Sequence, residues 1–261
     1  MNSTPENRKL GLALGGGATL GAAHIGVLKA IEEMSIDVHC ISGTSIGAYV
    51  SALYAFGISP ADIEEEFRGL DWLDISGFSL QNLKLGLLTN DKLGKSLEKK
   101  LGSAQISDAR FPLAIVATDI AGCEKVVLTQ CAVSQAVMAS TAIPGIFAPI
   151  EIDDQMLVDG GLVENVPVSP LQELGADLII GVDLGAQRSY RKPDDLIDVL
   201  INSIDIAIDN ATRLQTSKAD MVISPELSAY SRTDSGQISE LIDEGHKAAR
   251  SAISNSDLFS T

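Results

Sequence analysis

The sequence predicts an α/β fold with a mainly parallel central sheet covered on both faces. Three observations carry this expectation. Leu10 to Leu14 is a short apolar run that stops at Gly15-Gly16-Gly17, and Ala22 to Met34 then places Ile25, Leu28, Ile31 and Met34 at helical spacing. Val38 to Ser42 is a second apolar run, which stops at Gly43-Thr44-Ser45-Ile46-Gly47 and passes into the small and apolar stretch Ile46 to Phe56. Leu178 to Leu184 is apolar almost throughout, as a strand buried on both faces must be. Strand, short glycine turn and helix in repeated order demand a parallel sheet with helices on both sides.

The remaining elements follow in order. Ala61 to Leu70 reads as a helix, with Ser59 as N-cap and Pro60 in the first turn. Leu73 to Leu88 mixes Gly, Ser, Asn and apolar residues without a period and reads as an irregular, lid-like or surface segment. Asp91 to Leu101 is a polar amphipathic helix. Leu113 to Asp119 and Lys125 to Thr129 read as strands split by the turn residues Ala121-Gly122, and Val133 to Ala139 as a helix of small residues. Pro144 to Pro149 is an apolar loop punctuated by proline. Glu151 to Val158 alternates weakly and reaches Asp159-Gly160-Gly161. A short helix, Leu171 to Leu174, is closed by Gly175. Gln187 to Lys192 carries Arg188, Arg191 and Lys192 and reads as a solvated loop. Asp194 to Thr216 is a long helix, Met221 to Ser224 a strand, and Gly236 to Ile253 a final amphipathic helix. No repeat or linker divides the chain, so residues 1–261 read as one domain.

Composition narrows the function. Nineteen basic against thirty-five acidic residues give a formal net charge of −16, which leaves no basic surface for nucleic acid and disfavours anionic membranes. At most a transient contact with membrane or micelle is expected. Three cysteines, Cys40, Cys123 and Cys131, are sparse and odd in number, which fits a reducing compartment; Cys40 and Cys123 read as small core residues. None has zinc-site spacing, so no metal is expected. Met1 to Lys9 lacks an apolar signal region and no stretch of about 18 apolar residues exists, so a cytoplasmic location is expected.

The chemistry begins at Gly43-Thr44-Ser45-Ile46-Gly47. A G-x-S-x-G between strand and helix is the nucleophile elbow of acyl hydrolases, with the serine on a tight turn at the tip of a sheet. A serine there needs a base and an oxyanion site. His24, His39 and His246 each read more readily as structural residues, because His24 and His246 lie on helices and His39 inside a strand. Asp159 and Asp183 both end apolar strands. Asp159 is followed by two glycines that let other backbone approach, although Asp-Gly is also a common turn; Asp183 also reads as a turn cap. A carboxylate serves as base at neutral pH only where burial raises its pKa. Gly15-Gly16-Gly17 exposes successive backbone N–H groups ahead of a helix and suits an oxyanion hole. A dinucleotide-binding loop would need glycine at position 20, which is Leu20, and no Gly-Lys-Ser/Thr follows for a phosphate-binding loop.

Four stretches in order resemble the patatin-like phospholipase family in its small bacterial members: Gly15 to Leu28, Gly43 to Gly47, Ala139 to Pro149, and Asp159-Gly160-Gly161. The resemblance runs from about Lys9 to Leu184. It implies a three-layer α/β/α sandwich and hydrolysis of acyl esters in lipids, with no metal or organic cofactor. Carried over by position, Ser45 is the nucleophile, Asp159 its base, and Gly15, Gly16 and Gly17 the oxyanion hole. Gly21, Gly43, Gly47, Gly160 and Gly161 support the motifs. Many relatives carry Arg or Lys where this chain has Leu20. That departure motivates a second reading, a patatin-fold protein with weak or no turnover in a regulatory or binding role.

Overall fold

The computed structural model describes residues 8–70, 89–186, 192–194, 196–232 and 234–259. The segment Leu73 to Leu88 and most of the basic loop from Gln187 lie outside the described residues. The glycine loop follows β1 (Leu10–Leu14), and a single 3-10 turn, Ala18–Gly21, separates it from α1 (Ala22–Glu33). The helix therefore starts at Ala22, where the sequence places it. Then come β2 (Val38–Thr44), α2 (Ile46–Ala55) and α3 (Pro60–Gly69). Ser59 caps α3 as expected, its hydroxyl accepting from the Asp62 N–H at 3.2 Å. The central elements are α4 (Asp91–Leu101), β3 (Leu113–Asp119), β4 (Glu124–Leu128) and α5 (Val133–Ser140). They lead to β5 (Ile150–Ile152), β6 (Gln155–Asp159), α6 (Gly161–Glu164) and α7 (Ser169–Glu173). The chain continues through β7 (Leu178–Val182), α8 (Leu196–Thr216), β8 (Met221–Ile223) and α9 (Ile238–Ser254).

Paired strands run in the order β5-β6-β3-β2-β1-β7-β8, with β4 also on β3. The pairs β1–β2, β1–β7, β2–β3 and β7–β8 are parallel; those joining β3 to β4, β3 to β6 and β5 to β6 are antiparallel. The architecture is a three-layer α/β/α sandwich. Leu10, Leu12 and Leu14 face a large core shared with helices α1, α2, α3, α5 and α9. Ala13, one residue out of phase, faces a smaller core with Cys40, Val166, Val168, Leu171 and Ile179. Every residue of β1 and β7 is buried, which is why both read as unbroken apolar runs.

One expectation fails. Cys123 is exposed, not part of the core. It sits at φ 57° in the hairpin between β3 and β4, where the chain must reverse.

The register on β3 positions the site. Ile115 and Val116 pair with both β2 and β4, whereas Ala117 to Asp119 pair with both β4 and β6. Since a strand has only two edges, β2 and β6 lie along the same edge of β3 and run toward each other. Thr44 stops opposite Val116 and Asp159 stops opposite Ala117. The end of β2 and the end of β6 therefore meet head to head.

Candidate active site

That meeting point holds Ser45 and Asp159. Ser45 sits at φ 55°, ψ −128° between β2 and α2. A non-glycine residue in that region costs about 1–3 kcal/mol and persists only where its surroundings over-determine it. Here they do. The Ser45 N–H, which a continuing ladder would direct at β3, donates to the Ser140 hydroxyl at 2.8 Å. Ser140 in turn donates to the Val116 carbonyl at 2.6 Å. Ser140 thus fills the gap left where β2 stops and β6 has not begun. Gly47 is required by close approach: a Cβ there would lie 2.1 Å from the Leu14 carbonyl oxygen.

The Ser45 hydroxyl faces the buried carboxylate of Asp159 and favours its ionised form. Asp159 is fixed at both ends. Its Oδ1 accepts from the Gly161 N–H at 2.8 Å, and its own N–H donates to the Ala142 carbonyl at 2.9 Å. Burial pushes its carboxyl up from 3.8 to about 6. The Ser45 hydroxyl, the Gly161 N–H and the Arg232 guanidinium oppose that rise, and the Asp205 carboxylate adds to it.

The glycine loop lies directly over the nucleophile. A Cβ on Gly16 would come 3.1 Å from the Ser45 Cβ and 2.7 Å from Asn165 Oδ1. Gly15 donates its N–H to the Val182 carbonyl at 3.1 Å. The Gly16 N–H is shared between the Asn165 carbonyl at 3.3 Å and Asn165 Oδ1 at 3.2 Å. The Gly17 N–H makes no hydrogen bond among the described residues. Gly21 and Gly43 lie against Ile46 and Ala48, and Gly160 against the Val116 carbonyl.

The three histidines do not meet Ser45. His24 is fully buried and its Nε2 donates to the Gly15 carbonyl at 2.7 Å. Burial lowers its pKa from 6.5 to about 4, against the opposing pull of that hydrogen bond, so the ring is neutral at physiological pH. His246 bonds Glu33 at 2.8 Å on the outer side of α9, and His39 is half-buried at the start of β2. Asp183 accepts from the Gly185 N–H at 2.9 Å and caps a turn. Among the described residues no cluster of His, Cys, Asp or Glu is placed to hold a metal ion. A surface cavity of about 340 Å³, lined by Asp37, Tyr54 and Phe111, opens at the opposite end of β2 and β3, away from Ser45.

A sequence model described as patatin-like phospholipase matches residues 12–171, well over half of the chain. The chain belongs to the patatin-like phospholipase family. It is 33% identical over 189 residues to a lysophospholipase NTE1 of Pyricularia oryzae, covering 69% of this chain and 12% of that protein. An uncharacterised NTE family protein of Mycobacterium bovis is 32% identical over 182 residues, covering 69% of this chain and half of the relative. The chain thus spans a small part of the fungal relative and half of the mycobacterial one. Among solved structures, VipD from Legionella pneumophila superposes with a TM-score of 0.64 at 15% identity, covering 95% of this chain and 67% of that one. The type III effector ExoU does so with a TM-score of 0.54 at 16% identity, covering 95% and 53%. Both likenesses concern the fold.

Sequence reasoning passed over Asn165, Ser140 as a bridge, and His24 as a brace of the glycine loop. Ser140 lies within the matched stretch Ala139 to Pro149. Asn165, four residues past the two glycines after Asp159, had no local signal beyond its place between Glu164 and Val166.

Proposed function

We propose that this patatin-like protein is a serine acyl-ester hydrolase acting on lipids, of the phospholipase, lysophospholipase or carboxylesterase kind, working through Ser45 and Asp159. The observation that carries the reading is the head-to-head meeting of β2 and β6, which sets Ser45 on its strained turn against the buried Asp159 carboxylate, made more basic by burial. Lysophospholipase relatives and the family membership support a lipid ester as substrate. Ser45 Oγ attacks the ester carbonyl carbon while its proton passes to Asp159. The tetrahedral oxyanion collapses, expels the alcohol with that proton, and leaves Ser45 acylated. Water, deprotonated by Asp159, then releases the fatty acid and restores the serine. The glycine loop provides the oxyanion site, with the Gly17 N–H as first donor. Gly15, whose N–H is held by the Val182 carbonyl and whose carbonyl accepts from His24, anchors the loop, and Gly16 becomes a donor when it exchanges its long, shared bonds for the stronger anion. With a net charge of −16, uncharged or zwitterionic lipid suits the protein better than an anionic bilayer. Among the described residues no helix is long and apolar enough to cross a membrane.

Fluorophosphonate labelling with peptide mapping tests this reading. Ser45 is the expected site. Asp159→Asn is expected to slow both labelling and hydrolysis of a short-chain p-nitrophenyl ester by at least ~100-fold, and Ser45→Ala to abolish both. The labelling rate of the parent should rise with pH through a midpoint near the carboxyl's value of about 6. A folded protein whose Ser45 stays unlabelled at every pH belongs instead to the binding or regulatory reading.

A further inference from the structure

Between Gly15 and Ala23 the loop over the nucleophile carries no charged side chain, and Leu20 is buried. Yet the chemistry keeps one negative charge in the site throughout. It starts on Asp159 and moves to the oxyanion as the Ser45 proton is transferred. A buried site holding a net negative charge is costly without a nearby cation.

The C-terminal part of the chain brings one. The Thr19 N–H, two residues after the glycine triplet, donates to the Arg232 carbonyl at 3.2 Å. The Thr19 hydroxyl donates to the Ser231 carbonyl at 3.2 Å. These two bonds pin the segment between β8 and α9 onto the loop. The Arg232 guanidinium forms an ion pair with Asp205, a buried residue of α8. Ile208, one turn further along α8, reaches to 3.3 Å from where a Cβ on Gly161 would stand. Gly161 is the residue whose N–H holds Asp159. The face of α8 that carries Asp205 therefore closes over Asp159, and the ion pair lies within electrostatic reach of its carboxylate.

We propose that Arg232 is the positioning cation of this active site, delivered from outside the family-matched stretch 12–171 and aimed by Asp205 at the Ser45–Asp159 pair. The inference rests on the dyad reading above. Arg232 acts through Asp159: it keeps the buried carboxylate ionised and ready to accept the Ser45 proton. Asp205 opposes it from the same side. Two further titratable groups near the site are engaged elsewhere, and the buried His24 ring is neutral. Glu164 is tied to Lys125 and Ser169, and His24 to the far side of Gly15.

Two measurements separate this proposal from the function it rests on. The first is carbon-13 NMR titration of aspartate carboxyls, with the Asp159 signal assigned by its loss in Asp159→Asn. Arg232→Gln should raise the Asp159 midpoint, Asp205→Asn should lower it, and Arg232→Lys should leave it close to the parent's. The second is fluorophosphonate labelling across pH. There Arg232→Gln should lose about fivefold in rate at pH 6, which is what a rise of one pKa unit from a parent midpoint of about 6 removes in ionised carboxylate, and recover to within about twofold at pH 8. Loss of labelling in the parent protein would count against the dyad, while the NMR titration still judges the cation. Midpoints that stay put, or that move in the same direction in Arg232→Gln and Asp205→Asn, overturn the proposal. If Arg232→Gln does not fold, the downward shift in Asp205→Asn and the parent-like midpoint of Arg232→Lys must both still hold.

Discussion

Asn165 touches both halves of the site. Its Oδ1 accepts from the Gly16 N–H at 3.2 Å, and it stands 3.4 Å from where a Cβ on Gly161 would lie. A methyl group at Gly16 would meet Asn165 Oδ1 at 2.7 Å and the Ser45 Cβ at 3.1 Å. The first of these contacts is tighter than packed atoms tolerate, and the second must yield by a few tenths of an ångström. Gly16→Ala should therefore lift the loop off the nucleophile and lower ester hydrolysis by more than 100-fold, a loss of ~3 kcal/mol in transition-state stabilisation. Asn165→Ala removes the worse contact. In that background the same glycine change should cost at least ~10-fold less than it does alone, since residues that share a contact are not additive. The check is a double-mutant cycle on kcat/KM, with thermal melts to confirm folding. Additive losses would mean that Asn165 does not set the height of the loop.

At the scale of elements, α1 and α9 cross with their backbones almost in contact. A Cβ on Gly26 would lie 1.9 Å from the Ile242 carbonyl oxygen, and one on Gly245 would lie 1.9 Å from the Ala23 carbonyl oxygen. The atoms they would meet are main chain, which cannot swing aside. Alanine in place of a helical glycine normally gains about 1 kcal/mol. Here overpacking of about 1–3 kcal/mol or more outweighs it. Gly26→Ala and Gly245→Ala should each lower the urea midpoint, and an unchanged or raised midpoint in either refutes the crossing. Because α1 carries His24 against the Gly15 carbonyl, the crossing also seats the glycine loop. Much of this scale was legible in advance. The units β1–α1 and β2–α2 announce themselves because β1 is buried throughout, β2 is buried from Cys40 onward, and each reaches glycine at its end. The local motifs single out Ser45 and Asp159. What no local pattern shows is why they meet, since that depends on β6 running antiparallel along the β3 edge that β2 has vacated. Cys123 was misread for a related reason, as apolar neighbours in sequence say nothing of a residue at the tip of a hairpin. Arg232 and Asp205 come from distant segments whose charges look solvated until the fold brings them to the site.

Across the whole molecule, two buried groups set opposing trends in stability with pH. His24 has its pKa lowered from 6.5 to about 4. Between those values the unfolded chain binds a proton that the folded chain refuses, so acidification through this window removes stability, roughly 3 kcal/mol in full. Asp159 has its pKa raised from 3.8 to about 6. Between those values the folded chain holds a proton that the unfolded chain has lost. Stability is therefore greatest below about pH 4 for this group and falls as pH rises through about 6, again by roughly 3 kcal/mol. The two windows overlap almost completely and their slopes have opposite sign, so the parent protein should be nearly insensitive to these groups from pH 6.5 to 4. Asp159→Asn breaks the balance. The amide keeps an oxygen for the Gly161 N–H but has no charge to desolvate, so the variant should be more stable than the parent at pH 7.5, by up to about 3 kcal/mol. On acidification only the His24 trend remains, and the advantage should shrink until the two proteins match near pH 4. Urea denaturation of both proteins at intervals from pH 4 to 7.5 measures this directly. An Asp159→Asn variant less stable than the parent at pH 7.5 would mean that the Ser45, Gly161 and Arg232 contacts outweigh burial, and that the carboxylate holds the fold together at the point where it is proposed to do chemistry.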